Sequence, residues 1–317
     1  MTKANMDDYT NLGTISQKIS TLGIGTWAWG DRSFWGYGSG YDLNDIREAF
    51  LTTISNGINF FDTAEVYGNG LSEKILSQLM EESKSDLVVA TKFFPFPWRW
   101  RAADFRKALS NSLKRLNLTI VHLYQIHWPF PPVPIEKWAT CLADAYEAGL
   151  VEAVGVSNYD ADQVRRAHDV LAKRGVPLTS NQVPYSLINR KIEKNGVVQA
   201  CQERQIRIIA YSPIGQGMLT GKYSEQNPPS GARRFLYSKQ FLRKLKPLQE
   251  KLREIGEAHD GKTPAQVALN WVICKGAIPI PGAKNRKQAE ENAGALNWRL
   301  SPDEVKILDQ LSDQLVG

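Results

Sequence analysis

The chain has 317 residues, 42% of them hydrophobic and 23% charged, which is the composition of an ordinary globular protein. Its net charge of +6 comes from short basic pairs scattered along the chain, a pattern that does not predict a nucleic-acid-binding surface. The three cysteines include no Cys-x-x-Cys pair, which argues against a disulfide framework or a zinc site and indicates a reducing compartment. A polar N-terminal segment and the lack of a long apolar run predict neither a signal peptide nor a membrane span, so we expect a cytoplasmic protein.

Short apolar runs alternate with amphipathic segments along the chain, which predicts strands alternating with helices. The predicted strands are Leu22–Gly25, Phe60–Asp62, Leu87–Ala90, Val121–Ile126, Val151–Val156, Thr179–Val183, Arg207–Ala210 and Ala277–Pro281. The predicted helices are 42–56 with Asp42 as N-cap, 72–80, 102–116, 135–148, 161–174, 196–204, 241–258, 264–275 and 302–315. A long loop is expected to reach about residue 234, and a last βα pair is expected from Lys287.

Eight such strands without a domain break predict one α/β domain over residues 1–317. The expected architecture is a (β/α)8 TIM barrel with an extra C-terminal helix and long loops over the C-terminal rim. The competing architecture is a doubly wound sheet. It is disfavoured because no Gly-x-Gly-x-x-Gly follows the first strand: Trp27 and Ala28 stand where the helix should begin after Gly23 and Gly25.

Polar side chains gather at the ends of the predicted strands. They are Asp62, Lys92, His127, Ser157, Asn158, Gln182, Tyr211 and Ser212. Each of them has an ordinary structural explanation when it is taken alone. Because the C-terminal ends of barrel strands share one rim, on which barrel enzymes build their sites, their coincidence there predicts a functional site. Tyr67, on the loop that follows Asp62, is expected to join it.

Six motifs occur in the same order as in a known family. They are Phe61-Asp-Thr-Ala-Glu-Val-Tyr67-Gly, Ala90-Thr-Lys92, Ile126-His127-Trp-Pro, Gly155-Val-Ser157-Asn158, Ile208-Ile-Ala-Tyr211-Ser-Pro-Ile-Gly and Ile280-Pro-Gly-Ala-Lys284-Asn. They resemble the aldo-keto reductase superfamily over most of the chain. Trp27-Ala-Trp29-Gly and Asn227-Pro-Pro-Ser-Gly look most like its plant-plastid and cyanobacterial branch, which includes pyridoxal reductases.

The resemblance implies a catalytic tetrad at Asp62, Tyr67, Lys92 and His127, and NADPH-dependent reduction of an aldehyde or ketone to an alcohol. Hydride transfer to a carbonyl leaves an alkoxide that needs a proton, which Tyr67 would supply as general acid. The Lys92 ammonium is expected to lower the pKa of the phenol, and Asp62 to keep Lys92 charged and aimed. His127, as a neutral donor, would orient the carbonyl oxygen.

The resemblance also implies a nicotinamide cofactor held on the rim. Ser157, Asn158 and Gln182 would hold the carboxamide, and Tyr211 would stack under the nicotinamide ring. Further expected cofactor contacts are Gly25, Thr26, Trp27, Asp62, Ser212, Pro213, Ile214, Gly215, Gly217, Leu219, Lys222, Arg233, Gly282, Lys284, Gln288, Glu291 and Asn292. Many relatives carry arginine where this chain has Gln288, but Lys284 suits an adenosine 2′-phosphate, so NADP is the expected cofactor.

Tryptophans in the rim loops predict an aromatic pocket for a small carbonyl substrate, at Trp29, Tyr67, Trp98, His127 and Trp128. The alternative is that several of these rings only pack the loops. An alternative function, from another class, is an NADP-binding redox-sensing subunit with weak catalysis, like the potassium-channel beta-subunit branch of the superfamily. No nucleic-acid or membrane partner is expected, and the chain is expected to be a monomer.

Overall fold

The computed structural model describes residues 8–229 and 237–316, and in it eight parallel strands run around a barrel in consecutive order. An antiparallel hairpin, β1 (Tyr9–Thr10) and β2 (Ile19–Ser20), precedes them. The barrel strands are β3 (Ile24–Gly25), β4 (Phe60–Asp62), β5 (Val88–Phe93), β6 (Val121–Ile126), β7 (Val151–Ser157), β8 (Leu178–Pro184), β9 (Arg207–Tyr211) and β10 (Ile278–Pro279). The barrel closes where Gly25 pairs with Gly282 and donates its N–H to the Pro281 carbonyl at 3.0 Å.

The helices connect these strands. They are α1 (Leu43–Ser55), α2 (Leu71–Ser83), α3 (Ala102–Leu116), α4 (Ile135–Glu147), α5 (Ala161–Ala172), α6 (Lys191–Lys194), α7 (Val197–Gln202), α8 (Lys239–Ala258), α9 (Pro264–Cys274), α10 (Arg286–Ala293) and α11 (Pro302–Val316). Side-chain caps define several helix starts: Asp42 accepts the Asn44 N–H at 2.7 Å, and Thr263 accepts the Gln266 N–H at 3.2 Å. None of the helices in the described ranges is long and apolar enough to cross a bilayer.

Successive side chains of each strand point alternately into and out of the barrel, and they form two separate hydrophobic cores. In β4, Phe60 belongs to the core inside the barrel, whereas Phe61 belongs to the core between strands and helices. Because successive side chains of a strand point to opposite faces, Asp62 points inward again, at the C-terminal end. In β5 the same alternation places Val88 and Ala90 inside the barrel, and Lys92 follows them on that face.

The α/β barrel expected from the sequence is confirmed, and α3 and β6 have the predicted bounds. The last βα pair expected from Lys287 is wrong. In the described part of the chain only helices follow β10, because Gly282 already closes the barrel against Gly25. The N-terminal hairpin was not predicted, since strands of two residues carry no periodic pattern. Leu12 and Ile15 of this segment pack into the core inside the barrel.

Candidate active site

A buried ion pair lies at the centre of the C-terminal rim. Lys92 Nζ is 2.5 Å from Asp62 Oδ1, and the two side chains are 0% and 2% exposed. Lys92 Nζ also donates to the Thr63 carbonyl at 2.8 Å and to the Tyr67 hydroxyl at 3.3 Å. The three donors of the ammonium are therefore all engaged, and one of them is directed at the phenol oxygen.

A close approach between two loops positions Tyr67. Tyr67 is the first residue of a short 3-10 turn, Tyr67–Gly70, after β4. This turn packs against the loop after β3. A Cβ at Gly68 would lie 2.7 Å from the Gly30 carbonyl oxygen, and Gly68 has a φ of +55°. Only glycine meets both conditions without strain. The turn leaves Tyr67 partly buried, with its hydroxyl facing Lys92.

The balance of charge and burial determines the protonation states of the ion pair and the phenol. Burial opposes the charge on Lys92, but Asp62 and Tyr67 outweigh it, so the pKa of the ammonium lies above its usual value. Burial raises the pKa of Tyr67, Lys92 lowers it and Asp62 raises it, with a net rise above 10.0. Lys92 thus lowers the pKa of Tyr67, as the sequence predicts, but desolvation of the phenolate exceeds this effect and the net decrease that was expected is not found. At neutral pH the phenol keeps its proton.

His127 lies beside the phenol, with 5.7 Å between the two ring centroids. The side chain is nine-tenths buried, and its Nδ1 has no hydrogen-bond partner among the described residues. Burial and then the Lys92 ammonium hold the pKa of His127 well below 6.5. The imidazole is therefore neutral at neutral pH, as the sequence predicts for a donor to an oxygen.

Two buried amides complete the shell of Asp62. Asp62 Oδ2 accepts from Gln182 Nε2 at 2.8 Å and from Gln125 Nε2 at 3.1 Å. The backbone carbonyl of Gln182 accepts from the Ser157 hydroxyl at 2.8 Å and from the Asn158 N–H at 2.9 Å. Gln125 was missed in the sequence, although it lies two residues before His127 on the inward face of β6.

Asn158 and Tyr211 form a second polar group on the rim. Tyr211 donates its hydroxyl to Asn158 Oδ1 at 2.9 Å, and Asn158 Nδ2 donates to the His127 carbonyl at 3.1 Å. Burial and then Tyr67 raise the pKa of Tyr211 to about 12. Ser157, Asn158, Gln182 and Tyr211 are thus connected to the buried ion pair through hydrogen bonds, as expected for residues of one rim.

The loop after β9 forms a tight 3-10 turn, Gly215–Thr220. Gly215 has a φ of +56°, and a Cβ there would lie 2.3 Å from the Ile188 side chain. Within this loop the Pro213 and Leu219 side chains are buried, so neither offers the expected cofactor contact through its side chain. Ser212, Ile214 and Gly217 are partly exposed, and Lys222 is exposed. Arg233 lies outside the described residues.

The loop after β10 and helix α10 carry a second group of expected cofactor residues. Lys284 Nζ lies over the rings of Trp35, at 5.1 Å, and Tyr41, at 4.7 Å. The Lys284 N–H donates to Gln288 Oε1 at 2.9 Å. Asn292 Nδ2 donates to the Gly282 carbonyl at 3.2 Å.

Glu291 lies one residue before Asn292 on α10. Its Oε1 accepts from the Thr263 hydroxyl at 3.2 Å. Glu291 and Asn292 are therefore tied to neighbouring segments of the protein, while Lys284 is a cation on the aromatic side of the loop.

Two residues near β3 that were expected at the site, Thr26 toward the cofactor and Trp29 toward the substrate, have fully buried side chains. Thr26 is fully buried, and its hydroxyl bonds Ser72 at 2.8 Å and the Asp62 carbonyl at 3.0 Å, so its side chain cannot contact a cofactor. Trp29 is also fully buried and donates its Nε1 to the Ala283 carbonyl at 2.8 Å. Trp29 thus packs the core and does not line a pocket, because the indole lies between the barrel and α1, whereas Trp27 lies in the rim cluster.

Exposed and partly exposed aromatic rings form two walls, one beside Tyr67 and one beside His127. The first wall comprises Trp27, Phe34 and Trp35, and the second wall comprises Phe94, Phe96, Trp98, Trp128 and Phe130. Trp27 is 6.3 Å from the Tyr67 ring, and Phe94 is 5.4 Å from the His127 ring. Three phenylalanines of the second wall were missed because loop aromatics give no periodic signal.

An ion pair holds the second wall in place. Glu65 Oε1 accepts from the Phe94 N–H at 2.7 Å and from Arg99 Nη1 at 2.5 Å. The Arg99 guanidinium lies 5.1 Å from the Phe96 ring centroid. Glu65 therefore joins the loop that carries Tyr67 to the loop that carries the second wall.

The aldo/keto reductase family profile matches residues 21–313. The chain belongs to this family. Chloroplastic pyridoxal reductase of Arabidopsis thaliana is 44% identical over 311 residues, which cover 94% of this chain and 84% of that protein. The aldo-keto reductase yakc [NADP(+)] of Schizosaccharomyces pombe is 33% identical over 293 residues, covering 86% and 84% of the two chains.

Solved structures agree with this assignment. The glycerol dehydrogenase of Gluconobacter oxydans superposes with a TM-score of 0.86 at 26% identity, covering 99% of this chain and 98% of that chain. An aldo/keto reductase from Klebsiella pneumoniae, in complex with NADP and acetate, superposes with a TM-score of 0.74 at 26% identity, covering 96% and 95%. The resemblance to aldo-keto reductases inferred from the motifs is thereby confirmed.

Proposed function

We propose that this chain is an NADPH-dependent carbonyl reductase in which Tyr67 donates the proton. The observation that carries the proposal is the contact of one buried ammonium, Lys92 Nζ, with both Asp62 and the Tyr67 hydroxyl, beside a neutral His127. A phenol that keeps its proton at neutral pH is a general acid in its reactive form. The names of two relatives, a pyridoxal reductase and an NADP(+) aldo-keto reductase, support the same chemistry.

The residues of the rim fit a nicotinamide dinucleotide phosphate. Gly217, partly exposed and with a φ of +95°, leaves backbone without a side chain on the loop after β9, where a pyrophosphate can approach closely. Lys284 offers a cation at the edge of the barrel. Gln182 would hold the carboxamide, because no described residue donates to its Oε1. When bound, the cofactor supplies the hydride.

The protein's own side chains orient and protonate the oxygen of the substrate carbonyl. His127, neutral, donates a hydrogen bond to that oxygen and stabilises the charge that develops on it. Tyr67 passes its proton to the oxygen, which becomes the alcohol hydroxyl. The phenolate left behind is stabilised by Lys92, whose charge Asp62 preserves. Reversing these proton movements serves alcohol oxidation.

The two aromatic walls favour a flat aromatic aldehyde. Trp27 lies beside Tyr67, and Phe94 lies beside His127. Aromatic rings bind other flat rings by stacking, each contact contributing about 0.5–1.5 kcal/mol beyond its buried area. Pyridoxal, the substrate in the name of the Arabidopsis relative, is such a molecule. We therefore place pyridoxal first among substrates to be tested.

The test is an assay of NADPH oxidation by the purified full chain with pyridoxal, benzaldehyde and propanal. We expect multiple turnover, with the highest kcat/KM for the aromatic aldehydes. A higher kcat/KM for propanal would contradict the role of the aromatic walls. Tight NADPH binding without turnover on any aldehyde would contradict the enzymatic proposal and favour the redox-sensing alternative.

Lys284 is expected to select NADPH over NADH. In Lys284→Met, KM for NADPH should rise about 10- to 100-fold, because this factor corresponds to the loss of one charge-assisted contact. KM for NADH, which has no 2′-phosphate, should change little. Steady-state kinetics with both cofactors measure this. Lys287→Met, at an exposed position of helix α10 three residues further along the chain, is the matched control. An equal rise of KM for both cofactors would show that Lys284 does not contact the 2′-phosphate.

A further inference from the structure

The shell of Asp62 contains a residue that the proposed chemistry does not use, the glutamine of strand β6. Gln125 is fully buried, and its Cα pairs in register with that of Lys92 on β5. Its Nε2 donates to Asp62 Oδ2 at 3.1 Å, and its Oε1 accepts from Gln182 Nε2 at 3.4 Å. Gln182 Nε2 in turn donates to Asp62 Oδ2 at 2.8 Å. The three side chains therefore form a closed ring of hydrogen bonds inside the barrel.

The chemistry of Asp62 determines how the two amides are oriented. A carboxylate paired with an ammonium can only accept hydrogen bonds. Both glutamines must therefore present their NH2 groups to Asp62 Oδ2, because an amide oxygen at 2.8 Å would place two acceptors in contact. The carboxylate thus fixes the orientation of the nitrogen and oxygen atoms in both amides.

The ring uses both protons of the Gln182 amide. One N–H goes to Asp62 and the other to Gln125 Oε1, so the Gln182 nitrogen has nothing left to donate. The remaining polar atom of the side chain is Oε1, to which no described residue donates. A nicotinamide carboxamide carries an NH2 group, which needs an acceptor of this kind.

We propose that Gln125 is a positioning residue for cofactor binding: it closes the ring with Asp62 and Gln182 and thereby holds Gln182 Oε1 toward the carboxamide NH2 of the nicotinamide. The inference rests on the proposed function, because it assigns a role toward the same cofactor. Gln125 touches neither cofactor nor substrate and acts through Gln182. The ring also joins the carboxamide site to Lys92, since Asp62 belongs to both.

The test is a double-mutant cycle of NADPH binding, measured by isothermal titration calorimetry on the full chain. In Gln125→Met, which keeps the length of the side chain and loses the amide, Kd for NADPH should rise about 3- to 10-fold, the factor of one neutral hydrogen bond. In Gln182→Met the rise should be at least as large. In the double variant, replacing Gln125 should add nothing further, because its partner is already absent.

Binding of 2′,5′-ADP, which carries the 2′-phosphate but no nicotinamide, is the control. Its Kd should be the same in all four proteins. An unchanged Kd for NADPH in Gln125→Met would overturn the proposal, as would equal weakening of NADPH and 2′,5′-ADP or additive effects in the double variant. If the unmodified chain does not bind NADPH, the proposed function itself fails, and this outcome is distinct from the others.

A second substitution keeps the test decisive if Gln125→Met does not fold. Gln125→Leu has a similar volume but neither a donor for Asp62 nor an acceptor for Gln182, so it cannot close the ring. Without the ring, Gln182 Oε1 should lose its fixed orientation, so Kd for NADPH should again rise more than Kd for 2′,5′-ADP. Equal values of Kd for NADPH in this variant and the unmodified chain would contradict the proposal.

Discussion

Replacing Tyr67 by phenylalanine is expected to lower kcat for aldehyde reduction by about 10²- to 10⁴-fold, the contribution of a positioned general acid. The ring and its contacts with Trp27 and His127 are retained, and only the hydroxyl that accepts from Lys92 is lost. Kd for NADPH should therefore change by less than about threefold. Single-turnover measurements with a saturating aromatic aldehyde isolate the step in which the proton is transferred.

The matched control for this substitution is Tyr146→Phe, on the helical layer of the barrel. This substitution also removes a phenol hydroxyl, but from a partly buried tyrosine outside the site. The kcat of this variant should equal that of the unmodified chain. Retention of full activity in Tyr67→Phe would show that another group protonates the product, and the role proposed for Tyr67 would then be abandoned.

Replacing Lys92 by methionine is expected to abolish measurable turnover and to reduce the free energy of unfolding by about 3–5 kcal/mol, as when one partner of a buried ion pair is removed. Asp62, 2% exposed, would remain as a buried carboxylate with only amide donors. Urea denaturation and the NADPH assay measure the two effects. Lys107→Met, at an exposed position of α3, controls for the loss of one lysine and should change neither.

A double substitution separates the structural effect from the catalytic one. Asp62→Asn combined with Lys92→Met removes both charges, so most of the lost stability should return. Turnover should not return, because Tyr67 still lacks the ammonium that stabilises its phenolate. If the single Lys92→Met protein were as stable as the unmodified chain, the ion pair would contribute nothing to folding, contrary to its burial.

Much of the barrel was predictable because strand periodicity and side-chain chemistry are local properties. A strand such as Val121–Ile126 is recognisable from six consecutive residues, and α3 from the spacing of its apolar face. Parallel strands in a barrel must end on one rim, so polar residues at strand ends could be assigned to one site. The closing of the barrel at Gly282 was not predictable, because it depends on a pairing across more than two hundred residues.

For the site as well, local features were predictable from the sequence and long-range contacts were not. The residues of the proposed tetrad were recognisable from their resemblance to family motifs, but the pKa of Tyr67 depends on how far burial outweighs a neighbouring ammonium, which only packing determines. Trp29 and Trp27 are equivalent in the sequence, and the fold buries one and leaves the other on the rim. Gln125 looked like an ordinary strand residue until Gln182, 57 positions away, met it inside the barrel.

Composition, motifs and alternation along strands thus identified a reductase barrel and the chemical groups at its rim, because each of these signals is carried by neighbouring residues. The partners of those groups came from contacts between strands and loops that are far apart in the chain. These contacts set the ring around Asp62, the two aromatic walls and the position of Lys284 over Trp35. Burial and distance are properties of the assembled barrel, and they decide which groups are charged and which meet.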